Sequence, residues 1–200
     1  MTFRGLYAVT PETLPAPALR ARVERALAGG IAALQYRRKA LASVDEARAL
    51  AALCRARGVP FIVNDDLDFA LAAGADGVHL GKDDGDVAAA RARCEGRILG
   101  VSCYDSLDLA RAAVAAGADY VAFGSVFASP TKPAAVRAPL SLFAEAKTLG
   151  VPLVAIGGIT LENARLAYAA GADALAVITD LFDAPDVAAR ATAYGKLRPR

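Results

Sequence analysis

The chain has 200 residues, 56% of them hydrophobic, with 23 basic and 21 acidic side chains and a net charge of +2. That balance excludes a strong electrostatic pull on nucleic acid, and no apolar run reaches the roughly 18 residues a membrane span needs. Three cysteines without metal-type spacing (Cys54, Cys94, Cys103) and an N-terminal MTFRGLYAVT without a signal-like apolar region lead us to expect a cytoplasmic protein with reduced thiols.

Taken in order, apolar runs that read as strands fall at 4–9, 32–37, 60–64, 77–80, 98–102, 119–126, 152–156 and 174–178. Helical spacing falls between them, at 15–28, 43–57, 66–73, 85–93, 106–116, 140–148, 161–170 and 185–196. The chain also repeats itself. AAGADGVHL (72–80), AAGADYVAF (115–123) and AAGADALAV (169–177) nearly coincide, and AGGIAALQYR (28–37) is a looser copy. Each copy reads as the end of an Ala-rich helix, a glycine suited to its C-terminus, and a strand.

The near-continuous Val, Ile, Leu and Ala runs imply strands buried on both faces, hence a parallel sheet. Eight such strand–helix units in one domain, residues 1–200, predict an α/β (β/α)8 barrel. An open doubly wound sheet is the alternative, but no G-x-G-x-x-G follows the first strand.

In a barrel of this kind the active site sits at the C-terminal ends of the strands. There the sequence places Gln35-Tyr36-Arg37-Arg38-Lys39, a basic corner in which alternation puts Gln35, Arg37 and Lys39 on one face. Two acidic corners follow, Asn64-Asp65-Asp66 and Lys82-Asp83-Asp84. Their carboxylates suit a hard cation such as Mg²⁺, or else cap the helices that follow, Asp65 or Asp66 one and Asp83 or Asp84 the next. Ser102 ends the fifth strand. The longest loop, 125–140, carries Ser129, Pro130, Thr131 and Lys132. Gly157-Gly158 after the seventh strand and Ile178-Thr179 after the eighth occupy the usual phosphate corner.

The only histidine, His79, lies inside an apolar run and reads as structural. With no Ser/His/Asp triad to be built, chemistry that needs little proton transfer is expected. Ionisation of a diphosphate ester, aided by metal and cations, meets that condition.

Several motifs occur together and in order: LYAVT, QYRRK, N-D, GADGVHLG followed by Asp84, G-x-S ending at Ser102, SPTK, AIGGI and AVIT. Through nearly the whole chain this set resembles the thiamine phosphate synthase family. The resemblance implies condensation of hydroxymethylpyrimidine diphosphate with a thiazole phosphate carboxylate, giving thiamine phosphate, pyrophosphate and CO₂. It implies Asp65 and Asp84 as Mg²⁺ ligands. It implies Gln35, Arg37, Lys39, Asn64, Ser102 and Lys132 around the pyrimidine diphosphate, with Tyr36 and Arg38 in the same corner. Ser129, Pro130, Thr131, Gly158, Ile178 and Thr179 would hold the thiazole phosphate. Arg37, Lys39, Lys132 and Ser102 would assist catalysis. Loop 125–140 would close over the substrates.

Four positions depart from the family pattern: Lys82 for Gln, Tyr104 where a His often follows G-x-S, Ser129 for Thr and Thr179 for Ser. Asp180 is unexpected beside a phosphate site. Two rivals are a sister group that isomerises the thiazole carboxylate phosphate and a non-catalytic phosphate-binding barrel. The partners expected are small-molecule substrates, not nucleic acid or membrane, and the chain is compatible with a homodimer.

Overall fold

The computed structural model describes residues 4–38, 40–94, 96–128 and 136–198. Its elements run β1 (Gly5–Val9), α1 (Ala16–Gly29), β2 (Ala33–Tyr36), α2 (Val44–Arg55), β3 (Phe61–Asn64), α3 (Leu67–Ala73), β4 (Gly77–Leu80), α4 (Val87–Arg93) and β5 (Ile98–Tyr104). They continue α5 (Leu107–Ala115), β6 (Tyr120–Phe123), α6 (Ser141–Ala146), β7 (Leu153–Ile156), α7 (Ala164–Ala170), β8 (Ala174–Val177), α8 (Thr179–Phe182) and α9 (Val187–Leu197). Each strand pairs in parallel with its successor and β8 pairs with β1, which closes the expected barrel. Closure satisfies the backbone of all eight strands and leaves no edge to protect.

Alternation along each strand divides the apolar side chains into two cores. Tyr7, Val9, Ala33, Ile62, Tyr120, Ala122, Val154, Ala174 and Ala176 form a cluster inside the barrel. A larger cluster, including Leu6, Leu34, Phe61, Val121, Phe143 and Leu175, joins the outer strand faces to the helices. The fully buried strands β6 and β8 therefore read as unbroken apolar runs in sequence, and β2 and β4 are interrupted only by Gln35 and His79.

The Gly-Ala-Asp repeat has a structural cause. Gly74, Gly117 and Gly171 each take positive φ, which turns the chain out of a helix at no Cβ cost. The aspartate two residues later then clasps the strand before it. Asp76 accepts the Phe61 N–H at 2.8 Å and donates its own N–H to the Phe61 carbonyl at 2.9 Å. Asp119 does the same with Leu99, at 2.7 and 2.8 Å, and Asp173 with Leu153, at 3.0 and 2.8 Å. Each repeat thus locks one strand to the next at the N-terminal end of the barrel, away from the expected site.

The boundaries differ from expectation in a few places. The sixth strand stops at Phe123, because Ser125 turns to pair with residues 136–138: its N–H reaches the Val136 carbonyl at 3.2 Å and its carbonyl accepts the Ala138 N–H at 3.0 Å. The helix expected over 85–93 starts at Val87, because Asp86 supplies the cap by accepting the Ala89 N–H at 2.8 Å. A one-turn helix, α8, was not anticipated between β8 and α9. Among the described residues no helix is long and apolar enough to cross a membrane.

The clasp predicts where stability resides. Asp173 is mostly buried and also meets Lys147, so Asp173→Ala should cost about 1–2 kcal/mol in urea unfolding. Asp173→Asn should restore part of that. An unchanged unfolding midpoint for Asp173→Ala would remove the clasp from the fold's support.

Candidate active site

A cavity of about 730 Å³ opens where the strands end. Its floor is mostly apolar, made by Val9, Ala122, Val154, Ile156 and Ala176 from inside the barrel, with Tyr7 and His79 among them. Its walls carry polar residues at and just beyond the strand ends: Gln35 and Arg37, Asn64 and Asp65, Lys82 to Asp84, Ser102 and Tyr104, and Thr179 and Asp180. An apolar base with a few convergent polar groups is the usual make-up of a small-molecule site.

The basic corner separates by alternation. Gln35 and Arg37 face the cavity. The Arg37 backbone is fixed to buried Thr10, whose Oγ1 accepts the Arg37 N–H at 2.8 Å and donates to the Arg37 carbonyl at 3.2 Å. Its guanidinium pairs with Glu12. Glu12 was missed in the sequence; its only signal is its place just past the β1 terminus.

Tyr36 and Arg38, expected in the substrate corner, are not brought to the cavity, because odd and even residues of this segment point to opposite faces. Tyr36 stacks on Phe69 at 5.9 Å and accepts the Ser43 N–H at 3.2 Å. Arg38 is buried. It donates to the Leu14 carbonyl and pairs with Glu46 at 3.5 Å, tying the β1–α1 loop to α2. Lys39 lies outside the described residues.

The acidic corners resolve the choice between capping and lining. Asp66 is the cap of α3, accepting the Phe69 N–H at 2.8 Å. Asp65 lines the cavity from a positive φ of 67°, an uncommon conformation for a non-glycine residue but one that Asp tolerates better than most. Its N–H donates to the His79 carbonyl at 2.8 Å, which holds the turn against β4. Asp84 is brought to the same cavity by a tight turn in which its Oδ2 accepts the Gly81 N–H at 2.7 Å. Asp83 also borders the cavity, and α4 takes its cap from Asp86 instead.

Tyr104 stands at the mouth, also at positive φ (54°), next to a bulge in the β5–β6 pairing. Its hydroxyl accepts the Lys82 N–H at 3.1 Å, so it braces the loop that carries Asp84.

Gly158, Ile178 and Thr179 line the opposite wall. The two glycines after β7 are needed for packing as well as for φ. A Cβ on Gly157 would lie 2.2 Å from Ser125 Oγ, and one on Gly158 would lie 2.2 Å from the Ala128 carbonyl oxygen. They seat the first leg of the long loop, and Val126 and Phe127 bond there to the Ile156 and Gly157 carbonyls, each at 3.0 Å. Ser129, Pro130, Thr131 and Lys132 lie outside the described residues. Asp180 borders the cavity with its charge occupied: it pairs with Arg190 at 3.0 Å and accepts from Tyr194 at 2.7 Å.

His79 is buried yet borders the cavity. Its ring stacks on Tyr120 at 5.5 Å; Nδ1 lies 2.9 Å from the Tyr120 hydroxyl and Nε2 lies 2.8 Å from Ser102 Oγ. It therefore packs as the sequence implies and also touches an expected substrate ligand. Burial pushes its pKa from 6.5 down to about 4, against an opposing pull from Asp65. The imidazole is neutral at neutral pH.

With this geometry in view, comparison with known proteins is decisive. The family model described as thiamine monophosphate synthase matches residues 6–181. The chain belongs to that family. It is an enzyme, a transferase of thiamine biosynthesis with small-molecule substrates. It is 61% identical to the thiamine-phosphate synthase of Aromatoleum aromaticum, over 97% of this chain and 96% of that protein. It is 60% identical to the synthase of Chromobacterium violaceum, over 94% and 93%. Among solved structures, thiamine phosphate pyrophosphorylase from Pyrococcus furiosus superposes with a TM-score of 0.84 at 34% identity, covering 98% of this chain and 96% of that one.

The His79 environment makes a pH prediction. The unfolded chain gains a proton near pH 6.5 and the folded chain only near 4, so stability is whole above about pH 6.5 and falls as pH drops toward 4. The part due to His79 should be about 2 kcal/mol between pH 7.5 and 5. Urea titrations at the two pH values should show that loss in wild type and lack it in His79→Gln. Equal losses in both proteins would contradict this role.

Proposed function

We propose that the chain condenses a hydroxymethylpyrimidine diphosphate with a thiazole phosphate carboxylate, releasing thiamine phosphate, pyrophosphate and CO₂. The observation that carries this reading is the convergence of Asp65 and Asp84 on one cavity with Arg37, Gln35, Asn64 and Ser102. A simple phosphate-binding barrel has no use for two carboxylates beside a cationic arm. The sister isomerase is disfavoured because Tyr104, braced against Lys82, occupies the position of that reaction's histidine.

The donor chemistry fits Mg²⁺. Both acidic side chains offer hard oxygen ligands, and among the described residues no three His, Cys, Asp or Glu side chains gather into a complete cage. Mg²⁺ characteristically takes one or two protein carboxylates and completes its shell with water and substrate phosphate. When bound, it would neutralise charge developing on the departing diphosphate. The chain's own residues do the rest. Arg37, steadied by Glu12 and Thr10, offers planar donors to the diphosphate. Gln35, Asn64 and Ser102 orient the pyrimidine arm, with Lys39 and Lys132 assigned to the same group by their motifs. Gly158, Ile178 and Thr179 receive the thiazole phosphate, helped by Ser129, Pro130 and Thr131.

The thiazole nitrogen attacks with its own lone pair and needs no base, neutral His79 is engaged with Tyr120 and Ser102, and the donors Arg37, Gln35, Asn64 and Ser102 border the cavity where a diphosphate would be held. Stabilisation at the leaving group therefore favours a dissociative path, in which the aminopyrimidine methylene carries the positive charge before the thiazole nitrogen attacks. Three free, buried cysteines suit work in the reducing cytoplasm.

Incubation with both substrates and Mg²⁺ should yield thiamine phosphate. Asp65→Asn and Asp84→Asn should each lower turnover by a factor on the order of 10² or more, while thermal stability changes little. Wild-type turnover in either variant would remove that residue from the site. Loss in Asp83→Asn alone would shift the assignment within the β4 loop.

A further inference from the structure

The barrel interior contains a line of polar groups whose hydrogen bonds to one another the synthase reading leaves without a role. Gln35 Nε2 on β2 donates to the Tyr7 hydroxyl on β1 at 2.9 Å. Tyr7 and Tyr120, from opposite walls, meet hydroxyl to hydroxyl at 2.9 Å. Tyr120 on β6 meets His79 Nδ1 on β4 at 2.9 Å, and His79 Nε2 meets Ser102 Oγ on β5 at 2.8 Å. The two tyrosines are each 1% exposed. Both ends of the line, Gln35 and Ser102, border the cavity, as do Tyr7 and His79, while Tyr120 links them from within the core.

A barrel interior is ordinarily filled with branched apolar side chains, and burying phenols and an imidazole is costly unless every group is satisfied. Here the chain makes special room for them. Gly100 lies under Tyr120 so closely that a Cβ would sit 2.0 Å from Tyr120 Cζ and 2.3 Å from its oxygen. A satisfied network of this kind is rigid and has a direction, since each hydroxyl has one proton to give.

Resting on the synthase reading, we propose that Tyr7, Tyr120 and His79 are positioning residues that run in one direction, from Gln35 to Ser102, and set Ser102 as a hydrogen-bond donor to the diphosphate substrate. The Gln35 amide donates to the Tyr7 oxygen, and in the proposed direction Tyr7 gives its own proton to Tyr120. Tyr120 gives its proton to His79 Nδ1, and a neutral imidazole then carries its single N–H on Nε2. That N–H fills an acceptor site on Ser102 Oγ, and the serine proton is left for an anionic ligand in the cavity. The opposite direction would spend the serine proton on His79 and present only lone pairs to a diphosphate. Gln35 and Ser102, on different walls, are thereby oriented together.

The chain has one histidine, so its ring nitrogens can be observed without ambiguity. In protein labelled with ¹⁵N-histidine at pH 7.5, wild type should show Nε2 protonated and Nδ1 bare. Nδ1 protonated and Nε2 bare overturns the proposal, and this measurement needs neither a variant nor turnover. Tyr120→Phe removes the donor to Nδ1, so it should shift the histidine toward the other tautomer and lower kcat roughly tenfold, with a smaller change in KM for the diphosphate. In a Ser102→Ala background the same substitution should have little further effect on kcat. A tenfold loss that persists in that background, or a wild-type kcat and tautomer in Tyr120→Phe, would make the tyrosine a packing residue only and overturn the proposal. Absence of thiamine phosphate formation by the wild type would instead count against the synthase reading and leave the tautomer result to judge the network's direction.

Discussion

Closure of the parallel ring is the constraint on which everything else depends. Once β8 pairs with β1, every strand residue must point either into the barrel or out to the helices. The outward set can be wholly apolar because the helices cover it. The inward set has to fill a narrow space from eight directions, and at the strand termini it has to open into a site. The two apolar clusters, inner and outer, are the direct expression of that division.

The two ends of the ring are then given different work. At the N-terminal end, Asp76, Asp119 and Asp173 bind the starts of β4, β6 and β8 to the strands before them through paired backbone and carboxylate bonds. At the C-terminal end, two non-glycine residues, Asp65 and Tyr104, hold positive φ. Strained backbone persists where its surroundings over-determine it, and here those surroundings are the β3–β4 hydrogen bond and the brace on Lys82. One end carries the strand clasps and the other carries the polar groups that line the cavity.

Much of this was legible in the sequence because it depends on short-range pattern. Buried parallel strands leave unbroken apolar runs, and the Gly-Ala-Asp copies mark each helix end and strand start. The motif residues Gln35, Arg37, Asn64, Asp65, Asp84, Ser102, Gly158, Ile178 and Thr179 all border the cavity. What was not legible depends on direction or on distant partners. Tyr36 and Arg38 sit inside a motif, but alternation sends them outward to Phe69 and Glu46. Asp66, one residue from Asp65, spends its carboxylate on a helix cap. Asp180 looks hostile to phosphate until Arg190 and Tyr194, ten and fourteen residues on, engage its charge. Nothing in the sequence marks Tyr7 and Tyr120 as partners, since their hydroxyls meet across 113 residues of sequence. His79 read as structural for the same reason: its link to Ser102 exists only once β4 and β5 are paired.

The mechanism we propose rests on charge stabilisation at the departing diphosphate rather than on a base at the nucleophile. The most direct test is the single-turnover rate with a pyrimidine diphosphate whose ring substituent carries electron-withdrawing fluorine, measured with Mg²⁺ and saturating thiazole partner. A dissociative path predicts slowing by several orders of magnitude with little change in diphosphate affinity, because the developing cation is what the fluorine destabilises. A slowing of only about two- to threefold would show that the thiazole nitrogen displaces the diphosphate directly, and would contradict the mechanism.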